Sequence, residues 1–537
     1  MKFDDRELLN YQRDDLHREI GREQGNGLVQ RQTWTPNGQL LEQTLAPHGA
    51  SKRIAVRSYR YDEAGQLTHT NDLNRGDLHY RYDPVGRLVE ARLNYEKETF
   101  AFDPASNLLD PQAPPGPNPH SPRRIADNVL RSYCGTQYRY DERGNLLERI
   151  ENGKTGHFTC DLYNRLRRYE DDRLIVDFAY DALGRRLYKN SRSKYRDRPQ
   201  AGPLWNENAR RQRDEELGCG FTWFTWEGDT LATECRDREE RGGVTTHYVF
   251  EPGTFVPVAQ AVINSTLDLL PQPTYGDHYD IDRDPVWQHK PTPTPVDTFG
   301  WYQCDQLGTP MEVTDTEGQV VWSGTYKALG IAEEKRSEET RKAEIGNALR
   351  FQGQYFDPET NLNYNRHRYY DPLIGRFTSK DPIGLSGGLN TYSYAPNPTD
   401  WIDPLGLAKV YGPPHKLEHD AKLIHEVLPD NYANGHRTTA TAVLRNPDGT
   451  TTRVAASSNG SLALRQQQVS TELGYKPLRE PARSGPEGHA EPIIYRSASE
   501  NNQTVIDIGA SRSICPSCGD LIDSKGSNAV TARRKKK

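Results

Sequence analysis

The chain has 537 residues, of which only 34% are hydrophobic, with 44 Gly, 36 Pro and 29 Tyr and a formal net charge of −6 at pH 7. That length exceeds what one hydrophobic core supports, so several domains are expected, and the composition favours turn-rich β structure over Leu-packed helices. No apolar run approaches a membrane span, no secretory leader pattern opens the chain, and seven scattered cysteines argue against a disulfide framework and for synthesis in a reducing cytoplasm.

Residues 1–30 read as a polar N-terminal segment. A frame then recurs: Trp34-Thr-Pro-Asn-Gly38-Gln-Leu40, Tyr61-Asp-Glu-Ala-Gly65-Gln-Leu67, Tyr82-Asp-Pro-Val-Gly86-Arg-Leu88, Phe102-Asp-Pro-Ala-Ser-Asn107-Leu108, Tyr140-Asp-Glu-Arg-Gly144-Asn-Leu146 and Tyr180-Asp-Ala-Leu-Gly184-Arg-Arg-Leu187. Each copy predicts a strand ending in Tyr-Asp, a tight turn and a strand starting near Leu. Asp bonds to the turn backbone, and Gly or Asn supplies positive φ at its end. Tyr and Leu then face one interior, which a single hairpin cannot bury, so stacked units must form a continuous spiralling sheet.

This frame resembles the YD repeats of Rhs proteins and of the C component of insecticidal Tc toxins. Further matches stand at Phe224-Thr-Trp-Glu-Gly-Asp229-Thr-Leu and Trp301-Tyr-Gln-Cys-Asp305-Gln-Leu-Gly308-Thr-Pro310. The resemblance implies an all-β spiral shell over residues 31–350 that encloses a toxin.

Residues 351–407 carry Arg366-His-Arg-Tyr-Tyr-Asp371 and two Asp-Pro-x-Gly-Leu copies, Asp381 to Leu385 and Asp403 to Leu407. By itself Asp-Pro-x-Gly is a good turn sequence. The second copy, within Pro398-x-x-x-x-Asp403-Pro-Leu-Gly-Leu407, resembles the end motif of the Rhs core. The resemblance implies a plug that cuts the Leu407-Ala408 bond by an aspartic-protease-like reaction, with Asp381 and Asp403 as the dyad and Arg368 as the supporting cation. Two carboxylates sharing a proton suit that task, one activating water while the other polarises the carbonyl.

Residues 408–537 change character and read as a small α/β domain with a mixed sheet between helices. Helical spacing covers Lys416 to Leu428, strands from Thr438 to Leu444 and Thr450 to Ala456 flank the turn Asn446-Pro-Asp-Gly449, and a second helix spans Leu462 to Leu473. His489 to Tyr495 predicts a third helix, Thr504 to Ile508 a buried strand, and Cys515 to Leu521 a last helix. The segment holds 18 Lys+Arg against 13 Asp+Glu, an excess of positive charge supplied by a basic tail, Arg533 to Lys537. That tilt favours a polyanionic partner, although charged tails are often simply solvated.

The chemistry concentrates in His489-Ala-Glu491 and Cys515-Pro-Ser-Cys518. One imidazole and two thiolates make three zinc ligands and leave a fourth position for water, the pattern of a catalytic Zn2+ site. Glu491 then serves as proton shuttle rather than ligand. A lone Cys-x-x-Cys fits structural zinc or redox chemistry as well, and a structural site would draw a fourth ligand from His415, His419, His425 or His436. In this order the two motifs carry the signature of zinc nucleobase deaminases and resemble the cytidine-deaminase superfamily, specifically the deaminase domains of bacterial polymorphic toxins. Ile514 stands where that family places Pro, with Pro516 inside the pair, while Ser511-Arg-Ser513 fits the toxin-type members.

The two resemblances imply an interbacterial toxin made in the cytoplasm, secreted by a type VI apparatus, countered by a cognate immunity protein and acting on nucleic acid in the target-cell cytoplasm, with cytosine in DNA as first substrate. Two alternatives stay open: a zinc hydrolase acting on RNA, free nucleotides or protein side chains, and a non-enzymatic YD-repeat surface scaffold with a structural zinc site.

Overall fold

The computed structural model describes the chain except residues 4–5, 16–17, 37, 113–124, 238–241, 268–277, 285–293, 338–344, 408–409, 412–420, 422–423, 426–437, 446–450, 459, 473–474, 480–488, 512–514, 526–527 and 530–537. Ala408, most of the helix expected from Lys416 to Leu428, the turn at Asn446 to Gly449, His415, His419, His436, Arg512 to Ile514 and the basic tail therefore lie outside the described residues. Among the described residues no helix is long and apolar enough to cross a membrane.

β structure dominates up to residue 402. Nine strands from Leu9–Arg13 to Glu96–Thr99 form one sheet and fifteen from Ser132–Tyr133 to Ala332–Arg336 form another, each strand beside its neighbour in sequence. The recurring frame works as its chemistry predicts. The carboxylates of Asp62, Asp83, Asp141 and Asp181 accept the N–H four residues on at 2.8–2.9 Å, and Gly65, Gly86, Gly144 and Gly184 take φ between 78° and 90°. Tyr61, Tyr82 and Tyr140 lie opposite Leu67, Leu88 and Leu146, whose side chains are buried. The tyrosine hydroxyl also has a job: it donates to the frame leucine one repeat back, Tyr61 to the Leu40 carbonyl at 3.0 Å, Tyr82 to Leu67 at 2.5 Å and Tyr180 to Leu166 at 2.7 Å. A phenylalanine would leave those strand-end carbonyls short of a donor.

Several expectations need correction. The sheet begins well before residue 31, because Leu8 and Leu9 are buried against Phe299 and Trp301 despite their charged neighbours. In the Tyr180 copy the position opposite the tyrosine belongs to Arg186, fully buried, while Leu187 is exposed. In the Phe102 copy Ser106, not Asn107, takes the positive φ of 61°. Asp229 does not hold its turn but meets Arg366 Nε at 2.6 Å. A helix, Pro203–Leu217, interrupts the scaffold, with Pro at its start and Gly218 in the left-handed region at its end. A further copy, Asp161 to Leu166, has Cys160 where the frame has tyrosine, and Asn164 supplies the positive φ.

Residues 351–407 form a short four-strand meander, Tyr355–Asp357, Leu362–Asn365, Arg368–Asp371 and Arg376–Phe377, and lie across the turn ends of the two long sheets. Asn397 donates to the Gly86 carbonyl at 2.8 Å, Tyr392 to Gly144 at 2.8 Å, Arg366 to Leu183 at 3.1 Å and Gln352 to Leu307 at 2.5 Å. Buried ion pairs add to the contact: Arg149 with Asp371 at 3.4 Å and Lys189 with Glu359 at 2.9 Å. The two long sheets are themselves joined through Glu312, which takes Arg57 and Arg75.

Beyond residue 437 the expected α/β order appears. Thr439–Arg445 and Thr451–Ser457 pair antiparallel, Thr504–Ala510 joins the other edge of the first, and two short strands, Lys476–Pro477 and Asn528–Ala529, complete a mixed five-stranded sheet through parallel pairings. Helix Ala490–Glu500 packs on the three long strands. Its Ile493 and Ile494 meet Ala442, Leu444, Val454 and Ile508 in one core. Helices Leu464–Glu472 and Pro516–Ser524 stand where periodicity predicts them.

Candidate active sites

The mixed sheet places its two motifs together. His489 precedes helix Ala490–Glu500, and Cys515 precedes helix Pro516–Ser524. His489 Nδ1 lies 3.2 Å from Cys518 Sγ and 3.5 Å from Cys515 Sγ, and the three ligand atoms fall within 4.8 Å of one another. Zn–S bonds of about 2.3 Å and Zn–N bonds of about 2.0 Å in a tetrahedron give N···S edges of about 3.5 Å, so these donors fit zinc by type and spacing. Among the described residues the group contains no fourth His, Cys, Asp or Glu. His425, one of the alternative ligands, instead faces the Thr439 hydroxyl at 3.3 Å.

The helix ends tune the donors. Burial pushes the Cys515 thiol up, but the Ser517 hydroxyl at 3.1 Å and the Cys518 N–H at 3.4 Å outweigh it and hold the thiol below its ordinary value. Glu491 lies in the first turn of its helix, 3% exposed and within reach of Cys518. Burial raises its pKa, so the carboxyl keeps a proton more readily than in water. A buried carboxyl beside a metal-capable trio is equipped to move protons.

A second constellation closes the 351–407 segment. Arg368 Nη2 stands between the two carboxylates foreseen in the sequence, 3.0 Å from Asp381 Oδ2 and 3.3 Å from Asp403 Oδ2, with all three side chains buried. Arg368 Nε also donates to the Gly406 carbonyl at 2.6 Å and Asp403 Oδ1 accepts the Leu407 N–H at 2.9 Å. Burial lifts the Asp403 pKa to about 6, against the pull of Arg368. Sequence reasoning missed Asn365, whose Nδ2 donates to the Asp403 carbonyl at 2.7 Å, and the His367 N–H, which takes the Leu405 carbonyl at 3.1 Å. Both lie in the turn of the hairpin between Leu362–Asn365 and Arg368–Asp371, and only its packing against the turn at residues 403–407 reveals them.

Residues 301–335 match the family described as RHS protein. The chain is 36% identical over 429 residues to the double-stranded DNA deaminase toxin A of Burkholderia cenocepacia (strain H111), covering 76% of this chain and 27% of that protein. It is 31% identical over 450 residues to the toxin protein Tse5 of Pseudomonas aeruginosa, covering 74% and 31%, and 28% identical over 429 residues to the probable deoxyribonuclease RhsA of Dickeya dadantii (strain 3937), covering 75% and 24%. The crystal structure of TcdB2-TccC3-Cdc42 aligns with 74% of this chain and 21% of its own at a TM-score of 0.37 and 17% identity. The chain thus spans under a third of the length of these curated relatives. Proteins named for different activities cover nearly the same share of it, so their names do not decide its C-terminal chemistry. The recurring YD frame, the family match within it and the relatives on either side of 30% identity place the chain in the Rhs family of YD-repeat polymorphic toxins.

Proposed function

We propose that the chain acts as an interbacterial Rhs toxin: its repeats form a shell around a C-terminal zinc-dependent deaminase of nucleic acid bases, cytosine in DNA first, which the chain frees by cutting itself after Leu407. The observation that carries the deaminase reading is the convergence of His489, Cys515 and Cys518 beside buried Glu491. One relative is named a double-stranded DNA deaminase toxin, which favours DNA among the polymers.

His489, Cys515 and Cys518 would hold the zinc, which when bound acidifies water at the site. Glu491 would carry one proton of that water to the ring nitrogen and the second to the leaving amine, so that the oxygen stays on the base as a carbonyl and ammonia departs. Its burial keeps bulk water from competing for the proton.

For release, Arg368 draws Asp381 and Asp403 to one end of the segment, and Asp403 holds the Leu407 amide. Intact-mass analysis of the whole chain is expected to find a fragment beginning at Ala408, absent from Asp403→Asn. Delivery by a type VI apparatus and protection of the producer by a cognate immunity protein complete the proposal, by analogy with such toxins.

The test of the deaminase is expression of residues 408–537 beside the Glu491→Ala variant, with sequencing of host DNA and RNA. Excess C-to-T or A-to-G changes with wild type alone establish reaction, polymer and the role of Glu491; toxicity without base changes in either polymer overturns the reading.

A further inference from the structure

Buried arginines elsewhere in the chain have carboxylate partners: Arg57 meets Asp72 and Glu312, Arg149 meets Asp371, Arg186 meets Asp357, and Arg368 meets Asp381 and Asp403. Arg376 is different. It is 4% exposed, and its side-chain contacts among the described residues are the Asn107 Oδ1 at 3.5 Å, the Asn128 carbonyl and the Tyr392 ring at 4.8 Å. Asp103, whose charge acts on it, is committed to its own turn: Oδ1 accepts the Ala105 and Asn107 N–H, and Oδ2 accepts the Ile125 N–H and Asn107 Nδ2. Arg376 Nε is buried with no hydrogen-bond partner among the described residues. Burial presses the pKa of this side chain below its ordinary value, as expected of a cation short of counter-charge. A guanidinium nevertheless stays charged, so an anion placed beside it would offset the cost of its burial.

Arg376 also lines a cavity. The cavity opens where the link between the two long sheets, at Phe102 to Leu108, meets the 370–398 stretch, and it has space for several water-sized groups. Leu88, Leu108, Leu329, Ile374 and Tyr394 supply apolar walls, and no Asp or Glu stands among the lining residues. The amide beside the guanidinium is already in use: Asn390 Nδ2 donates to the Asn107 Oδ1 at 2.9 Å and to the Ala105 carbonyl at 3.1 Å. Ser106, on the same lining, accepts from Arg87 at 3.4 Å and keeps its own hydroxyl proton to donate. One unmatched positive charge therefore borders a mostly apolar space.

We propose that this cavity binds a short organic monocarboxylate, its carboxylate on Arg376 and its hydrocarbon end against the leucines. A single cation balances a single negative charge, which disfavours a phosphate dianion, and the apolar walls favour a carbon chain over a bare inorganic ion. Leu88 belongs to the first long sheet, Leu329 to a turn of the second, and Ile374 and Tyr394 to the 351–407 segment. An occupant thus touches all three parts of the scaffold and fastens them together. The site stands apart from the His489 trio and uses neither Asp381 nor Asp403.

The experiment titrates butyrate calorimetrically into the full chain at neutral pH and constant ionic strength, beside its neutral isostere butyramide and beside inorganic phosphate. Two variants test the address: Arg376→Met removes the charge, and Ala395→Leu fills the cavity from a half-buried lining position while leaving Arg376 in place. Melting midpoints without ligand show which variants are folded. Wild type is expected to bind butyrate about 30-fold more tightly than butyramide and to lose about as much affinity for butyrate in Arg376→Met; phosphate is expected to bind more weakly than butyrate, and Ala395→Leu to bind none. Should Arg376→Met fail to fold, Ala395→Leu and the butyramide comparison decide. Absence of butyrate binding in wild type, unchanged affinity in either folded variant, equal binding of butyramide, or tighter binding of phosphate overturns the site.

Discussion

Arg186 and Asp357, 171 positions apart, form a 2.5 Å ion pair in which both side chains are buried. Arg186 fills the place that leucine holds in the other repeats, with Phe224 and Tyr364 each 4.5 Å from its guanidinium. It ties a repeat to the 351–407 segment. Replacing it with the leucine of the frame leaves Asp357 with Lys189 alone, at 3.2 Å. Arg186→Leu is expected to cost about 3–5 kcal/mol, and Arg186→Leu with Asp357→Leu to cost less, read as melting midpoints of uncut protein. Equal losses in the single and double variants would refute the pair.

Asp400 is a pH-sensitive weak point. It is 7% exposed, and burial lifts its pKa to about 7 against weak support from the Leu67 N–H at 3.3 Å and the Thr399 hydroxyl at 3.4 Å. Because the folded form holds this proton more tightly than the unfolded chain, the neutral form is the favoured one. Stability is lost as pH climbs from about 4 through 7. Asp400→Asn removes the charge and should raise the melting midpoint at pH 8, by about 1–2 kcal/mol in stability, with little change at pH 4.

Metal and proton transfer should separate by substitution. Cys518→Ser and His489→Ala are expected to lose both bound zinc and base change, whereas Glu491→Gln keeps equimolar zinc and loses only the base change, as read by metal content and by sequencing of exposed DNA. Loss of zinc in Glu491→Gln would make that residue a ligand.

Tyr82 carries a double load, donating to the Leu67 carbonyl at 2.5 Å and lying 2.7 Å from the Thr399 hydroxyl. Tyr82→Phe is expected to lower stability by about 1–3 kcal/mol, and Tyr61→Phe, whose hydroxyl meets Leu40, by less. Thermal unfolding of the two variants in parallel checks the order.

The turns were legible because Asp and Gly act locally: the carboxylate reaches an N–H four residues away, and its geometry follows from the residue types. The helices and strands around His489 and Cys515 were legible for the same reason, as periodicity and cap position. What stayed hidden depends on distant partners. Nothing near Arg186 announces Asp357, and nothing near Leu8 announces Trp301. The Pro203–Leu217 helix was masked by charge, although its terminal Pro and Gly were in plain view.

The strictly sequential strand order has a temporal meaning. A sheet in which every strand pairs with its predecessor can be laid down as the polypeptide leaves the ribosome, since each new strand finds its template already in place. The segment bearing Asp381 and Asp403 emerges only after the last of those strands, and its anchors include the Gly86 and Gly144 turns built long before. Order of synthesis thus works as a clock: Asp381 and Asp403 meet their anchors only against a finished sheet, so the proposed cut cannot precede the wall it leans on.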